Sequence, residues 1–435
     1  MKRRWGVVGG GMLGLTLAHR IRQSGDDVTV LEESADCGGL ASPWKLGDVT
    51  WDRHYHVTLY SDLALRSLLS ELQLESRMDW VTTRTGFFTD GRLYSFSDVM
   101  DFVRFPPLNP LQKARLAATI LHASRITDWH SLERITALEW LRRYSGAQTV
   151  EKIWHPLLRA KLGANAEKAS AAFIWAIIAR MYAARRTGMK RELFGYVPGG
   201  YSTILARYVE VLRESGVEIV TGSRVQSVTP ASGDRVRVLA SDGSEREFDR
   251  VAVTLAAPLA ARLCGSLTEA ERNTLTGVEY QGIICASLLL DAPLSNYYVT
   301  NITDTWVPFT AVIEMTALVK PEMLGGQALV YLPKYVVPDD PGFDLSDEEL
   351  RDQFLAALQR MYPDFPQRSV RAFRVSRVRH VLPISTLGYS DRLPSIRTSV
   401  PNLFTVNSAH IVNGTLNVNE TVELANRTAR ELLAS

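Results

Sequence analysis

Cysteine is nearly absent: Cys37, Cys264 and Cys285 are the only three in 435 residues. They are too few and too scattered for a disulfide framework or a CxxC metal site, which suits a reducing compartment. No apolar run approaches the roughly 18 uninterrupted residues of a membrane-spanning helix. Charge of one sign is missing too, since 49 basic residues face 47 acidic ones, a net of +2. That balance gives no case for whole-surface nucleic-acid binding. Met1–Trp5 is basic, but the apolar stretch behind it is broken by glycines and reads as the start of a motif rather than a secretory leader. The expected location is therefore cytoplasmic, with a peripheral contact to the inner membrane face left open.

What remains is an ordinary globular composition, 46% hydrophobic and 22% charged, long enough for two or three domains. Trp5–Val8 reads as a short buried strand leading into Gly9-Gly10-Gly11-Met12-Leu13-Gly14, a G-x-G-x-x-G pattern. A helix follows over Leu15–Ser24, then a turn at Gly25-Asp26-Asp27 and a second strand, Val28–Leu31, ending at Glu32. Each part has a physical task. Gly9 permits a tight turn, Gly11 lets backbone approach a pyrophosphate, and Gly14 lets helix and strand pack closely. Met12 and Leu13 stand in this turn, the helix N-terminus after it faces phosphate charge, and Glu32 can accept ribose hydroxyls. The acid favours a free 2′-hydroxyl, hence FAD or NAD over NADP.

The segment after Glu32 separates those two. Glu33 and a short linker lead to a second glycine pair in Gly38-Gly39-Leu40-Ala41-Ser42, which implies backbone lying against a bulky ligand. Trp51-Asp52-Arg53-His54-Tyr55-His56 then reads as a strand entering a site. On a strand, His54 and His56 share a face, but no acidic or Cys ligand lies at a diagnostic spacing, so no metal is expected.

With these segments the chain resembles the flavin-containing amine oxidase and protoporphyrinogen oxidase superfamily, which includes phytoene-type desaturases and UDP-galactopyranose mutase. Later segments carry the same resemblance: Gly195-Tyr196-Val197-Pro198-Gly199-Gly200-Tyr201, Val217–Val225, Phe248–Thr254 and Asn402–Ala409. The resemblance implies an α/β fold. A Rossmann-like FAD-binding domain is built from discontinuous segments (1–62, 194–285 and 391–435), with an inserted α+β substrate domain (63–193 and 286–390). It implies non-covalent FAD held by the residues of the two glycine motifs, by Glu32 and Glu33, and by Val225, Thr254 and Ser408. Asn417, Val418 and Asn419, which stand where the family usually has a glycine, would open a helix toward the flavin's pyrimidine edge. It places His54 and His56 beside the isoalloxazine ring, His56 also holding the cofactor, and it makes Tyr389 a wall of the substrate pocket. Arg84-Thr85-Gly86-Phe87-Phe88 and Phe105-Pro106-Pro107-Leu108 are similar to members associated with polysaccharides.

The substrate half is read mainly from its residues. Thr136 and Ser346 open helices with capping boxes. Residues 169–184 form a strongly apolar helix, better read as core than as a membrane segment. Arg159 and Lys161 converge on a substrate anion if the chain leaves its helix there, and otherwise face apart. Arg377 and Arg392 are further anion candidates. Two features could touch anionic lipid: the basic run Arg180, Arg185, Arg186, Lys190 and Arg191, and the apolar stretch Phe102–Leu121.

Two chemistries fit. The first is an FAD-dependent oxidoreductase taking a hydride from a phosphate-bearing or lipid-linked sugar or isoprenoid, its electron acceptor unknown. The second is a non-redox pyranose/furanose mutase working through reduced flavin. A protein that keeps its flavin without turnover is a third reading.

Overall fold

Five short strands share one parallel sheet in the order Glu218–Val220, Asp27–Leu31, Arg4–Val8, Arg250–Val253, Leu403–Thr405. They come from residues 4–31, 218–253 and 403–405, stretches far apart in the chain. The computed structural model describes residues 2–183, 193–412 and 414–434, so Arg185, Arg186, Lys190 and Arg191 lie outside the described residues.

Arg4–Val8 is the central strand and is covered on both faces. Trp5 is fully buried against Phe404, ring centroids 5.8 Å apart, and its indole N–H donates to Asp26. Gly6 must lack a side chain because a Cβ there would stand 2.7 Å from the Phe248 ring. Helices Met12–Gln23 and Val418–Leu433 pack against each other on one face of this sheet. The C-terminal helix buries Val422, Leu424, Ala425, Ala429 and Leu432, the apolar face of an otherwise polar helix. Helix Leu63–Glu71, expected on the substrate side, instead adds Leu65, Leu68 and Leu69 to that same core.

The second layer is a seven-stranded mixed sheet. Its second strand, Tyr280–Leu290, lies between the edge strand Val370–Pro383 and Ala328–Val336 and is buried along all eleven residues. Side chains alternate across a strand, and here each face has its own cover. Ile284, Ala286, Leu288 and Leu290 face helix Asp347–Met361, whereas Ile283, Cys285 and Leu289 face Leu46, Trp51 and Tyr331. The strand crosses the expected boundary at residue 285, so the sheet begins at Tyr280. The first insertion contributes to this sheet as well. It supplies strands Thr85–Thr89 and Arg92–Ser95, the former parallel to Val299–Ile302. A single-sequence reading sees two short hydrophobic runs there but not the partner strand more than 200 residues away.

The capping signals are realised. Ser346 and Glu349 close a reciprocal box, and Thr136 accepts from the Glu139 N–H. Helix Ala171–Ala183 buries Ala171–Ala176 and Ile178 in a local core, with the Trp175 indole N–H donating to the Ala123 carbonyl.

Gly14 lies in the helix opened by the first glycine motif, where alanine would raise intrinsic helix propensity by about 1 kcal/mol. A Cβ at this position would stand 1.9 Å from the Gly9 carbonyl oxygen. Gly14→Ala is therefore expected to destabilise the protein by about 3 kcal/mol or more, measured by urea unfolding. A stabilised variant would mean that the crossing of loop and helix is looser than described.

Candidate cofactor and substrate site

The glycine turn leaves the carboxyl end of Arg4–Val8 at Gly9, whose φ of +108° is open to glycine. Thr254, at the end of the neighbouring strand, donates its hydroxyl to the Val8 and Gly9 carbonyls and locks this turn. Gly11 is the N-cap of helix Met12–Gln23 and offers no side-chain cap, so the first-turn N–H groups remain for a ligand. The second glycine pair lies against the first. The Gly38 N–H donates to the Gly10 carbonyl at 2.8 Å, and the Gly39 Cα stands 3.8 Å from where a Gly11 Cβ would be. Leu40 and Ala41 continue into a short 3-10 turn. A cradle bare of side chains on both sides is what a pyrophosphate needs.

Glu32 sits under this cradle. It accepts from the Gly10 N–H at 2.6 Å and the Ser34 N–H at 2.9 Å, and carboxylate oxygens retain acceptor capacity for hydroxyls. The backbone beyond it joins a distant segment, because the Glu32 N–H donates to the Val220 carbonyl and the Ser223 N–H to the Glu32 carbonyl. Glu33 reaches Arg224 at 3.5 Å in the open, next to Val225. These contacts put Glu32, Glu33 and Val225 along one edge.

The strand Val49–Asp52 ends before the histidines, so His54 and His56 sit in an irregular loop and not on a shared strand face. Among the described residues no group of three or more His, Cys, Asp or Glu could hold a metal. His54 Nδ1 is bonded to the Leu40 carbonyl at 3.1 Å, and its buried Nε2 has no partner. His56 packs on the Tyr201 ring, 4.9 Å between centroids, with Nδ1 4.0 Å from Asp52. Burial lowers both, His54 to about 4 and His56 to about 3, so both imidazoles are neutral at pH 7. The buried His54 Nε2, His56 Nδ1, Tyr201 hydroxyl and Asn407 amide all lack partners among the described residues. Unpaired buried polar atoms are costly, and those of His54, His56 and Tyr201, joined to the second glycine pair through Leu40, fit a polar ligand.

Sequence reasoning overlooked Asp52, Asp62, Arg180 and Asn407 as parts of this neighbourhood. Asp52 is fully enclosed and accepts from the Tyr201 N–H at 2.7 Å, closing the start of helix Gly200–Glu214. Arg180, expected in the basic run that could touch anionic lipid, instead donates to both Asp62 oxygens at 3.0 Å, and Asp62 is buried. Only proximity in the fold reveals these partners.

The C-terminal segment is arranged as capping chemistry. Asn417 caps helix Val418–Leu433 by accepting from Glu420, and Asn419 accepts from the Leu65 N–H. This leaves the Val418 and Asn419 end of the helix turned from its own ladder. Ser408 lies in a 3-10 turn beside the buried Asn407.

Several expected substrate residues are engaged elsewhere. The Tyr389 hydroxyl donates to the Ala409 carbonyl at 2.8 Å, so it ties two loops together instead of offering a free phenol. Arg377 donates to Asp347 and the Leu345 carbonyl, and Arg392 to Thr386 and to the Gly388 and Leu387 carbonyls. The helix His155–Leu162 runs past both members of the basic pair, so Arg159 and Lys161 diverge. Arg159 is exposed, whereas Lys161 stands 4.9 Å over the Tyr335 ring. Tyr335 and Tyr55 share a hydroxyl–hydroxyl contact of 2.9 Å, which brings Lys161 toward the loop that carries His54 and His56. Cys37, behind Gly10, is buried with its thiol pushed up to about 11, so it is packing and not a nucleophile. A surface cleft of about 390 Å³ lined by Arg4, Trp5, Asp27 and Phe248 lies at the amino ends of the parallel strands, opposite the cradle. Ligands of open α/β sheets bind at the carboxyl ends, so that cleft is not the site.

The match to known proteins agrees with this geometry. Residues 13–433 match the family of flavin-containing amine oxidoreductases. The chain belongs to that family. Its cofactor is FAD, and its class is flavin-dependent oxidoreductase acting on small molecules. Among solved structures, it resembles a putative protoporphyrinogen oxidase from Exiguobacterium sp. (19% identity, TM-score 0.78, all of both chains covered). It also resembles an oxidoreductase from Methanosarcina mazei (18%, TM-score 0.75, 98% of this chain and 100% of that one). A putrescine oxidase variant is similar at 19% identity and a TM-score of 0.75, with both chains fully covered. At such identities the likeness is one of fold.

Burial pushes the Asp52 carboxyl up to about 8. The folded protein then holds a proton that the unfolded chain releases near pH 4. This contribution to stability is fully present below the unfolded pKa and is lost as pH rises toward about 8. Asp52→Asn keeps an acceptor for the Tyr201 N–H and removes the titration. The stability of the natural protein relative to this variant is expected to fall from about pH 5 to 8, by up to about 1.4 kcal/mol per pH unit, in urea unfolding. A difference that is flat with pH would mean that Asp52 is ionised throughout.

Proposed function

We propose that the chain oxidises a small substrate bearing an anionic group, with hydride leaving a substrate carbon for FAD bound non-covalently along the two glycine turns. The observation that carries this reading is the abutting pair of side-chain-free turns with Glu32 beneath them. Met12, Leu13 and the helix start would face the pyrophosphate, Glu32 the ribose, and Glu33 and Val225 the adenine side. Asn407, Ser408 and the Asn417–Asn419 helix start would face the flavin end. When bound, the flavin supplies a two-electron acceptor, and the protein supplies orientation and electrostatics.

The chain's own residues set the environment of the reacting carbon. His54 and His56 are neutral, so they add no positive charge beside the cofactor, and each has one donor and one acceptor nitrogen. The Leu40 carbonyl assigns the His54 proton to Nδ1 and leaves Nε2 as an acceptor. Lys161 is the anion-binding candidate best supported by placement: it has no carboxylate partner among the described residues and lies over the Tyr55–Tyr335 pair. It would hold a phosphate or carboxylate while the apolar sheet floor excludes water. Arg377 and Arg392 have the weaker claim, since protein acceptors already occupy them.

Glu32→Ala is expected to weaken FAD retention by about tenfold to a hundredfold, the worth of a charge-assisted hydrogen bond, read from the flavin-to-protein absorbance ratio after dialysis. Unchanged occupancy would remove Glu32 from the ribose.

Anaerobic addition of phosphate-bearing sugars and isoprenoids should bleach the oxidised flavin, and Lys161→Met should raise KM for the bleaching substrate about tenfold or more with kcat nearly kept. Turnover only after prior reduction with dithionite, with no net redox change, would overturn the oxidase reading in favour of a mutase.

A further inference from the structure

The large hydrophobic residues that stay exposed are not scattered. Five of the eight among the described residues, Val99, Met100, Val103, Leu111 and Leu121, fall within one stretch of 23 positions, with exposures from 40% to 78%. They belong to two consecutive helices, Val99–Arg104 and Pro110–Ala123. Val99, Met100 and Val103 share one face of the first by three- and four-residue spacing. On the second, Leu111, Ala114, Ala118 and Leu121 are exposed along one stripe, while Leu116, Thr119 and Ala123 are buried on the other side. The second helix is therefore apolar on both faces, and the packed core consumes only one of them.

The two helices are held as a unit. Phe105 and Leu108, in the connection between them, share a core cluster with Leu116 and Ile153. The Lys113 ammonium donates to the Val103 carbonyl at 2.6 Å, and Asn109 with Gln112 closes a capping box on the second helix. The outer face is thus presented on a fixed platform.

Its charge is one-sided. From Phe102 through Thr127 the chain contains no Asp or Glu, but it contains Arg104, Lys113, Arg115 and Arg125. Arg104, Arg115 and Arg125 are exposed. The acids that flank this stretch are engaged locally: Asp98 caps the first helix, Asp101 accepts from Ser95 and Ser97, and the exposed Asp128 accepts from the His130 N–H with the His130 ring 3.3 Å away. An apolar stripe whose exposed charges are mainly cationic matches a surface that is apolar below and anionic above. It does not match a second copy of itself, whose cations would meet its own. No described helix is long and apolar enough to cross a membrane, so the contact lies in the plane of the interface.

We propose that helices Val99–Arg104 and Pro110–Ala123 form a docking face for an anionic lipid bilayer, laying Val99, Met100, Val103, Leu111 and Leu121 into the headgroup–acyl boundary. The face belongs to the insertion that carries Lys161, but the inference does not depend on what the site oxidises.

The test is co-sedimentation of the full-length, flavin-loaded protein with vesicles of phosphatidylcholine alone or with about a quarter phosphatidylglycerol. Binding is expected to the anionic vesicles, weaker to the neutral ones, and reduced at high salt. The double variant Val103→Asp/Leu111→Asp should bind at least about tenfold less well, with an unchanged flavin spectrum and melting temperature. Should it fold poorly, Arg104→Glu/Arg125→Glu removes charge complementarity without touching the apolar stripe and should also release the protein. Failure of the natural protein to bind anionic vesicles, or undiminished binding by a folded variant, would overturn the proposal. So would sedimentation equilibrium showing a dimer that the Asp variant dissolves while vesicles are ignored.

Discussion

The fold turns on a steric fact at one crossing. The Gly9 carbonyl oxygen occupies the space that any side chain at residue 14 would need, and Thr254 bonds to that same carbonyl from a strand far along the chain. Helix Met12–Gln23 can then lie close under the first strand, with its first-turn N–H groups left for a ligand beside the second glycine pair. The contact between Gly38 and Gly10 follows from this closeness, as do the position of Glu32 and the docking of residues 220–224 beside it. Bulk at the crossing would separate the loop from the helix, and the cradle would lose both walls.

A second constraint shapes the substrate side. Tyr280–Leu290 is buried on both faces, so it needs two different covers. Helix Asp347–Met361 is one. The other includes Leu46 and Trp51, and from the neighbouring strand the Tyr331 hydroxyl donates to the Asp52 carbonyl. Asp52 in turn holds the start of helix Gly200–Glu214, whose Tyr201 ring packs on His56. The floor of the mixed sheet is thereby linked to the loop of the two histidines through a few hydrogen bonds. That loop is irregular because its backbone follows the cradle and not a strand neighbour.

Legibility in the sequence followed the range of the interactions. The glycine motifs, Glu32, the capping boxes and the apolar helix 171–183 depend on residues within a turn or two of one another, so their spacing exposes them. The discontinuous parallel sheet was legible through family resemblance. The roles of the basic residues were not. Arg377, Arg392 and Arg180 look alike as letters. In the fold two of them are tied to neighbouring carbonyls and side chains, and the third is paired with a buried aspartate. Tyr389 presented itself as a pocket wall, and a single bond to Ala409 makes it a brace.

The sequence by itself determined the dinucleotide-binding unit, because close approach to a pyrophosphate demands glycine at fixed intervals, and the flavin class followed from the resemblance its motifs carry. Only the tertiary structure decided which charges remain available. Lys161 turns toward Tyr335 while Arg159 turns to solvent, since a helix rotates about 100° per residue and this one does not end between them. Tertiary packing likewise decided that the stripe from Val99 to Leu121 stays outside. The core beneath it is already filled by Phe87, Phe105, Leu108 and Leu116, and a helix with two apolar faces can bury only one of them against its own chain.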